Sequence, residues 1–325
     1  DDTTKVFFCS LTAGERLVSL LSFFEVRRWF PGTDDRKPFC LLTLGDAGCA
    51  HFMYDISSWS DFHQSAKQYQ LTAEGFALLN PNTGTLPVFR SERDAELTKK
   101  LYRAAPVLIA EGTPEVNPWG IRFMAMIHMS NDSDLFADTT APGRLPLYEA
   151  KMIHQFDHRW ATYGADGACG DLAVDAKKDP NFSVTPRYWV DAVEVEARLA
   201  GKGWSRGWLM GWRDICRGTD YRTLISSVIP KAAVGDKFLL MLPNEKPGRV
   251  AALVGNLNSL VCDYVARQKV GGTSFKYFTM KQITVLSPDC YTESDLTFIV
   301  PRVLELTYTA DLAEIDNFCD ALWLE

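Results

Sequence analysis

The chain has 325 residues, of which 46% are hydrophobic, so it suits a globular protein with one large domain or two ordinary ones. No run approaches the roughly 18 to 20 uninterrupted apolar residues of a membrane helix, and the first five residues lack a secretion signal, so we expect a cytoplasmic protein without a membrane segment. Eight singly placed cysteines argue against a disulfide framework or a CxxC zinc site, and a net charge of −7 argues on its face against a polyanionic partner.

Residues 1–55 form the first predicted part. A short helix through Leu11 is followed by two apolar runs, Leu17–Phe24 and Phe39–Leu44, which flank the turn-forming residues 30–34. A helix and two fully apolar strands are typical of the closing edge of an α/β sheet rather than of a complete domain. We therefore expect further strands upstream of this segment.

Residues 56–109 have the composition of a connector. Residues 79–84 are dense in turn-forming types, and Arg93–Arg103 predicts a short helix in which Glu96 and Lys100 pair at i, i+4. The boundary of the functional domain is predicted near the end of this segment.

Residues 110–325 alternate short strands, irregular loops and helices, the pattern of a mixed α+β domain. Trp204, Trp208 and Trp212 are spaced for one helical face, but the glycines at 203, 207 and 211 disfavour a helix, so a strand over Trp208–Ile215 stands beside the helix as an alternative. The tryptophans are expected to pack in the core. Apolar residues recur at three-and-four spacing over 249–268, which predicts one long helix that ends at the glycine pair 271–272.

The end of the chain carries three further signals. Phe278–Val285 predicts a strand, Thr292 with Asp295 predicts the N-cap of a final helix, and Pro301 is expected to break or restart that helix. Taken together, the elements predict a mixed α+β fold.

Two signatures of an adenine methyltransferase are missing from the sequence. Such enzymes need a glycine-rich loop after a strand for S-adenosylmethionine and a (D/N/S)PP(Y/F) loop that holds the flipped adenine. Asn80–Thr83 and Asn117–Gly120 each have a single proline and are predicted to be turns, while Gly164–Gly170 has no apolar strand before it and is predicted to be a flexible loop. No catalytic, cofactor-binding or metal-ligating residue is therefore assigned in this chain.

Charge is distributed unevenly along the chain. Residues 144–281 contain 20 Lys and Arg against 14 Asp and Glu, whereas residues 282–325 contain 1 against 9. A basic middle followed by an acidic end is what a local anion-binding surface on an acidic protein produces. A chance fluctuation on a solvated surface is the plainer alternative.

The densest polar and aromatic cluster, 148–160, leaves several interpretations open. His154 and His158 at i, i+4 suit a metal, but no third ligand stands at a recognised spacing. Glu149 and Lys151 form an ExK pair of the kind that nucleases use, with an upstream aspartate, to hold magnesium. The candidates for that aspartate are Asp134 and Asp138. A structural polar network, or a surface that meets phosphates and base edges, explains the same residues.

Two more basic and aromatic sets follow, at 204–223 and 267–277. The second of them combines glycines, which allow close backbone approach, with donors that have no nearby carboxylate. A helix end followed by a hairpin is its structural interpretation. The residues that we expect to face DNA are Lys151, His154, Gln155, Arg159, Arg187, Arg213, Arg217, Arg222, Arg267, Lys269, Thr273, Ser274, Lys276 and Tyr277.

A family resemblance runs through most of the chain in one order. The segments that carry it are Asp1–Phe8, Phe30–Leu44, Leu79–Thr83, Arg93–Leu97, Asn131–Phe136, Leu147–Arg159, Tyr221–Thr223 and Leu257–Gly272. The chain resembles the C-terminal portion of the large single-chain adenine-N6 DNA methyltransferases of type IIG, type ISP and related phage-defence restriction-modification systems. The run from Asn258 to Pro288 is also similar to type I specificity subunits.

The resemblance implies a division of labour. Residues 1–55 would be the last strands of the methyltransferase fold, 56–109 the connector, and 110–325 a target-recognition domain that binds double-stranded DNA. S-adenosylmethionine, the catalytic loop and any nuclease would belong to the upstream methyltransferase domain of the same polypeptide, so this chain alone is expected to be inactive. The alternatives are a magnesium-dependent DNA nuclease and a non-catalytic interaction scaffold that uses the acidic tail, 311–325.

Overall fold

The computed structural model of the protein describes residues 2–24, 29–30, 32, 38–85, 87–179 and 181–308. The chain divides into two compact units, Asp1–Val116 and Asn117–Glu325. The fold is mixed α+β, as the sequence predicts. Within the described ranges, no helix combines the length and the apolar character that crossing a lipid bilayer requires. The acidic tail and most of the predicted turn at 30–34 lie outside these ranges.

A four-stranded mixed sheet organises the first unit, with the strand order β2-β1-β3-β4. Strand β1 lies antiparallel to β2 and parallel to β3, and β4 lies antiparallel to β3. The elements are α1 (Asp2–Ala13), β1 (Leu17–Phe23), β2 (Phe39–Leu44), β3 (Ala50–Ile56), β4 (Gln68–Leu71), α2 (Ala73–Leu79) and α3 (Glu92–Ala104). The predictions of α1, β1, β2 and α3 are confirmed to within two residues. The segment predicted as a connector contributes β4, α2 and α3 to this same unit.

Strand β2 lies at one edge of this sheet and is apolar on both faces. Its neighbour on one side is β1, and the described residues place no strand on its other side. The side chains of Leu41, Leu42 and Leu44 are 54%, 38% and 48% exposed. Strands that are apolar on both faces are typical of sheets covered on both faces, and an exposed apolar edge is a template for further pairing.

Helix α3 shows how local signals fixed its ends. The Ser91 hydroxyl accepts a hydrogen bond from the Asp94 N–H and caps the first turn. The predicted pair between Glu96 and Lys100 is wrong, because Glu96 pairs with Lys99 at i, i+3, with the Lys99 Nζ 2.6 Å from Glu96 Oε1. Both spacings lie on one helix face, so periodicity alone did not choose between them.

The second unit is built around an antiparallel sheet with the strand order β11-β10-β13-β5, beside a sheet of order β12-β6-β9 and a β7-β8 hairpin. Its strands are β5 (Arg122–Met124), β6 (Arg144–Tyr148), β7 (Ala161–Tyr163), β8 (Cys169–Asp171), β9 (Trp189–Asp191), β10 (Trp208–Arg213), β11 (Ser226–Pro230), β12 (Ala233–Val234) and β13 (Phe238–Leu242). Its helices are α4 (Val174–Lys177), α5 (Ala192–Ala200), α6 (Pro247–Leu257), α7 (Leu260–Lys269), α8 (Tyr277–Lys281) and α9 (Glu293–Thr307).

Strand β10 is the buried centre of this unit, which decides for the strand over the helix alternative and confirms the predicted core role of its tryptophans. Trp208 and Trp212 are 2% and 0% exposed. Gly211 between them has a packing role, because a Cβ there would lie 2.6 Å from the Phe238 ring and overlap the Leu239 carbonyl. The glycine therefore lets β13 pack closely along β10.

The helix predicted over 249–268 is two helices, and this prediction is corrected at Asn258. The Asn258 side chain accepts from the Ser226 N–H at 3.1 Å and donates to the Ser226 carbonyl at 2.9 Å, which ties the chain to β11. The Ser259 hydroxyl then accepts from the Cys262 N–H and begins α7. The Asn258 amide and the Ser259 hydroxyl therefore form hydrogen bonds that a continuous helix would not provide, and the helix divides between them.

Two predictions for the end of the chain are wrong and one is confirmed. Phe278–Val285 begins with helix α8 instead of a strand, because one helical turn buries Thr279 and Met280 and leaves Phe278 58% exposed. Thr292 and Asp295 form the predicted capping box of α9. Pro301 lies inside α9 without ending it.

Candidate nucleic-acid interface

One end of the β10–β11 hairpin gathers three arginines of the second basic set. The Arg213 N–H donates to the Ile225 carbonyl at 3.0 Å, so β10 and β11 are still paired where the connecting loop begins. Residues 214–225 form this connection, which we call the hairpin loop. Arg213 precedes it, and Arg217 and Arg222 lie within it.

The third basic set is paired to the same place. The Phe275 N–H donates to the Asp214 carbonyl at 2.7 Å, and the Cys216 N–H donates to the Thr273 carbonyl at 3.2 Å. Ile215 and Ser274 form an isolated antiparallel bridge between the two segments. The structure thus brings together two sets that are about 50 residues apart in sequence.

The first set joins them through a cavity of about 300 Å³ that Lys151 and Arg213 line together. Lys237, which the sequence analysis missed, lines the same cavity because it precedes β13, whose first residue pairs with Arg213. We call this cavity the basic cleft. Its remaining lining residues are Met129, Glu149, Ala150, Ile215 and Gly235.

Glu149 organises one wall of the basic cleft. Its carboxylate accepts a short hydrogen bond from the Tyr163 hydroxyl, and the Lys151 Nζ lies 3.4 Å from the Glu149 Oε2 and 4.9 Å from the Tyr163 ring centroid. The contact with Tyr163 and the charge of Glu149 raise the pKa of Lys151. The Lys151 side chain, 49% exposed, is therefore a positioned cation at the mouth of the cleft.

Asp214, which follows Arg213, holds two further lysines, of which Lys237 lines the basic cleft. Its carboxylate is fully buried, and its Oδ2 lies 2.5 Å from the Lys276 Nζ and 3.9 Å from the Lys237 Nζ. Lys237 also pairs with Asp236 at 2.8 Å. Both ammonium groups keep side chains that are 40% and 48% exposed, so they are held in place by internal carboxylates while facing solvent. Their charge at this end of the hairpin is partly neutralised.

Three guanidinium groups at this end have no internal acceptor. The side chains of Arg213, Arg217 and Arg222 form no hydrogen bond or ion pair with any described residue, and those of Arg213 and Arg222 are partly buried. Arg213 is half-buried, and burial lowers the pKa of its guanidinium. The Nη1 atom of Arg222 is shielded from solvent without a partner. An unsatisfied buried donor costs roughly 1–3 kcal/mol, and more when it is charged.

The prediction that Arg159 faces DNA is wrong. The residue is 0% exposed, and its guanidinium donates to the carbonyls of Asp179, Phe182 and Lys177 at 2.9, 3.0 and 2.9 Å. These bonds tie residues 177–182 to the core. Arg159 is therefore a structural residue whose donors no external ligand reaches.

Arg267 is corrected for the same reason. Its Nε donates to Asp263, and its two terminal nitrogens donate to the carbonyls of Gly218, Asp220 and Tyr221 at 3.0, 2.7 and 2.8 Å. All three guanidinium nitrogens therefore bond groups inside the protein, and the two terminal ones bond the hairpin loop. The guanidinium positions that loop instead of contacting DNA itself.

The remaining predicted residues differ in accessibility. His154 packs on Trp160 with ring centroids 4.4 Å apart, and burial lowers the pKa of its imidazole. The Gln155 amide lies 3.5 Å from the Asn258 carbonyl. Burial lowers the pKa of Lys269 to about 7, and the Tyr277 ring packs on Phe123 and Trp212.

Four of the predicted residues are exposed: Lys151 and Arg217, which lie at the basic cleft and in the hairpin loop, and Thr273 and Arg187. Thr273 is exposed beside the hairpin loop, to whose Cys216 its backbone is bonded. Arg187 is also exposed and covers the Tyr188 ring at 4.9 Å, but no described contact links it to the basic cleft.

The glycine-rich and metal interpretations find little support in the geometry. Residues 164–168 connect the β7–β8 hairpin, closed by the Gly164 N–H donating to the Ala168 carbonyl, and Cys169 and Gly170 begin β8, so the glycine-rich segment is not a strand-to-helix cofactor loop. Among the described residues, no three His, Cys, Asp or Glu side chains are grouped to hold a metal ion. The magnesium nuclease alternative therefore gains no observation in its favour.

Comparisons with known proteins assign no family. No protein-family model matches the chain, and no curated protein matches it. Among solved structures, one match is the type IIG restriction endonuclease BpuSI, with a TM-score of 0.36 and 10% sequence identity. That match covers 100% of this chain, which spans 45% of the length of BpuSI. A TM-score of this size is too low for the likeness to assign an activity.

Proposed function

We propose that this chain binds double-stranded DNA through the basic cleft and the hairpin loop, as the target-recognition part of a site-specific adenine-N6 DNA methyltransferase. S-adenosylmethionine binding and methyl transfer then belong to an upstream methyltransferase domain of the same polypeptide. The ordered residue resemblance described above supports the placement in restriction-modification or phage defence.

Two partly buried guanidinium groups without an acceptor carry the proposal. Arg213 and Arg222 lie near opposite ends of the hairpin loop, and neither guanidinium bonds a described residue. A planar guanidinium pairs with two phosphate or base oxygens at once, and such charge-assisted bonds are among the strongest in proteins. An anionic ligand would supply the acceptors that the fold does not, which offsets the desolvation cost of these groups.

The surrounding cations add the long-range attraction that a polyanion needs. Lys151, Lys237 and Lys276 are held at the same end of the sheet by Glu149 and Asp214. Phosphate contacts set the register of a protein on DNA without reading sequence, whereas loop side chains reach base edges. The lysines suit the first task and the hairpin loop suits the second.

Strand β2 supports the second part of the proposal. Its exposed leucines form an apolar edge in the first unit. A further strand from an upstream domain would pair with this edge and extend the sheet, whose faces the rest of that domain would then cover. The proposed methyltransferase sheet provides such a strand.

Salt-dependent DNA binding tests the proposal. Binding of the chain to a fluorescent 30-base-pair duplex is expected to weaken steeply between about 50 and 200 mM salt, because counterions are released from the phosphates. Arg213→Gln is expected to weaken binding by about tenfold and to reduce the salt slope by about one. Arg302, exposed on α9, provides the matched control Arg302→Gln, which should bind like the original chain.

Two outcomes would contradict the proposal. One is binding that does not change with salt, or no binding at low salt. The other is an equal effect of Arg213→Gln and Arg302→Gln, which would make the attraction a property of net charge and not of the cleft.

A further inference from the structure

The hairpin loop presents an aromatic side chain to solvent. Tyr221 is 94% exposed, the largest value among the exposed large hydrophobic side chains of the described residues. Trp208 and Trp212 on β10, by contrast, are buried. Exposure alone is common on protein surfaces, and the way the loop is held is what distinguishes Tyr221.

Hydrogen bonds within the loop and to α7 fix the backbone around this ring. The Arg217 N–H donates to the Asp220 carboxylate at 2.8 Å, and the Thr223 hydroxyl donates to the Arg217 carbonyl at 3.0 Å. The Thr223 and Leu224 N–H groups both donate to the buried Asp263 carboxylate, at 2.7 and 2.9 Å. Hydrogen bonds therefore hold the backbone on both sides of Tyr221.

Arg267 completes the clamp. It bonds the same Asp263 through its Nε and holds three loop carbonyls, including that of Tyr221 itself. Ordering a flexible loop on binding costs backbone entropy. Because this loop is already ordered in the folded chain, binding through Tyr221 requires little further loss of conformational entropy.

The charges beside Tyr221 indicate the kind of partner. Arg217 is exposed on the same loop, and Arg222 follows directly with no internal acceptor. The acidic group next in sequence to the ring is the Asp220 carboxylate, which accepts a hydrogen bond from the Arg217 N–H. An aromatic face flanked by cations suits a nucleobase flanked by phosphates.

We infer that Tyr221 stacks on a base of the bound duplex, at a step that opens to admit the ring, while Arg217 and Arg222 contact the adjacent phosphates. This inference rests on the proposed function and adds to it a base-contacting residue outside the basic cleft. A side chain that enters a base step must unstack it, and the free-energy cost of unstacking is smallest where the bases are already unpaired.

A duplex with a central two-base bubble tests this inference against the same duplex fully paired. The chain is expected to bind the bubble at least about fivefold more tightly, because the unstacking cost has been removed. Tyr221→Ala should bind the bubble about five- to a hundredfold more weakly and lose the preference, whereas Tyr221→Phe, which keeps the ring, should retain it.

Arg217→Gln separates stacking from phosphate contact. It should weaken binding to both duplexes equally and reduce the salt slope by about one while the bubble preference remains. Because the Tyr221 ring is exposed, we expect its variants to unfold at the same temperature as the original chain. Equal unfolding temperatures would show that a loss of DNA binding does not come from a loss of folding.

The outcomes distinguish the two proposals. If the original chain shows no bubble preference, or if Tyr221→Ala keeps it while both bind DNA with a steep salt dependence, the stacking inference is overturned and the proposed function stands. If neither duplex is bound at low salt, the proposed function fails and the inference fails with it.

Discussion

Two regions of the second unit use arginine in opposite ways. Around 157–182, the buried Arg159 donates to three backbone carbonyls and holds a loop to the core. At the hairpin end, the guanidinium groups of Arg213 and Arg222 bond no described residue. The same residue type is thus a structural group in one place and a group without an internal acceptor in the other. What decides its role is the set of acceptors that the fold places within reach.

The largest expected effect is that of removing Arg159. In Arg159→Met a side chain of similar length replaces the guanidinium, and the carbonyls of Lys177, Asp179 and Phe182 lose their donor in a buried site. We expect the free energy of unfolding to fall by about 3–5 kcal/mol. Urea denaturation measures this loss. A loss below about 1 kcal/mol would mean that residues 177–182 do not depend on this arginine.

The neighbouring His158 predicts a pH dependence of similar size. Burial lowers its pKa from 6.5 to about 4, and neither ring nitrogen has a hydrogen-bond partner among the described residues. The unfolded chain therefore binds the proton more tightly. The stability that the neutral imidazole contributes is complete above pH 6.5 and is lost as the pH falls toward 4, by about 3 kcal/mol in total.

His158→Phe isolates this contribution. The phenyl ring does not titrate, so the difference in unfolding free energy between the original chain and the variant should change with pH across this window and be constant above pH 7. Unfolding curves at pH 4.5, 5.5, 6.5 and 7.5 provide the measurement. Parallel pH profiles for the two proteins would show that His158 is not buried in its neutral form.

The smallest effect on stability is expected for Arg222→Met at the hairpin end. The sign of this effect distinguishes Arg222 from the structural Arg159. Arg222→Met removes a shielded guanidinium nitrogen that has no partner. Because no bond is lost, we expect the free energy of unfolding to stay the same or to rise by up to about 1 kcal/mol. The same urea measurement as for Arg159→Met applies. A loss of more than about 1 kcal/mol would reveal that the two arginines do not differ as described.

Local patterns predicted the elements whose ends depend on neighbouring residues. The strands at Leu17 and Phe39, the helix after Ser91 and the capping box at Thr292 and Asp295 each need only a few adjacent residues. The break at Asn258 was missed, because the hydrogen bonds that cause it go to Ser226, 32 positions away.

The candidate site divides in the same way. Its residue types and the three basic and aromatic sets could be named from the sequence. Their meeting at one end of β10, and the addition of Lys237 from β13, required the strand pairing. Tyr221 had only a weak signal, an aromatic residue in a polar loop between arginines, and its exposure and clamp are properties of the folded chain.

The sequence by itself determined the mixed α+β class, most helix and strand positions in the first unit, and which part of the chain is basic, because these depend on periodicity and composition over short distances. Only the tertiary structure decided which arginines keep their donors for a partner. A guanidinium has five donors, and whether carbonyls distant in sequence reach them depends on how the chain packs. Arg159 and Arg267 found such acceptors, and Arg213 and Arg222 did not.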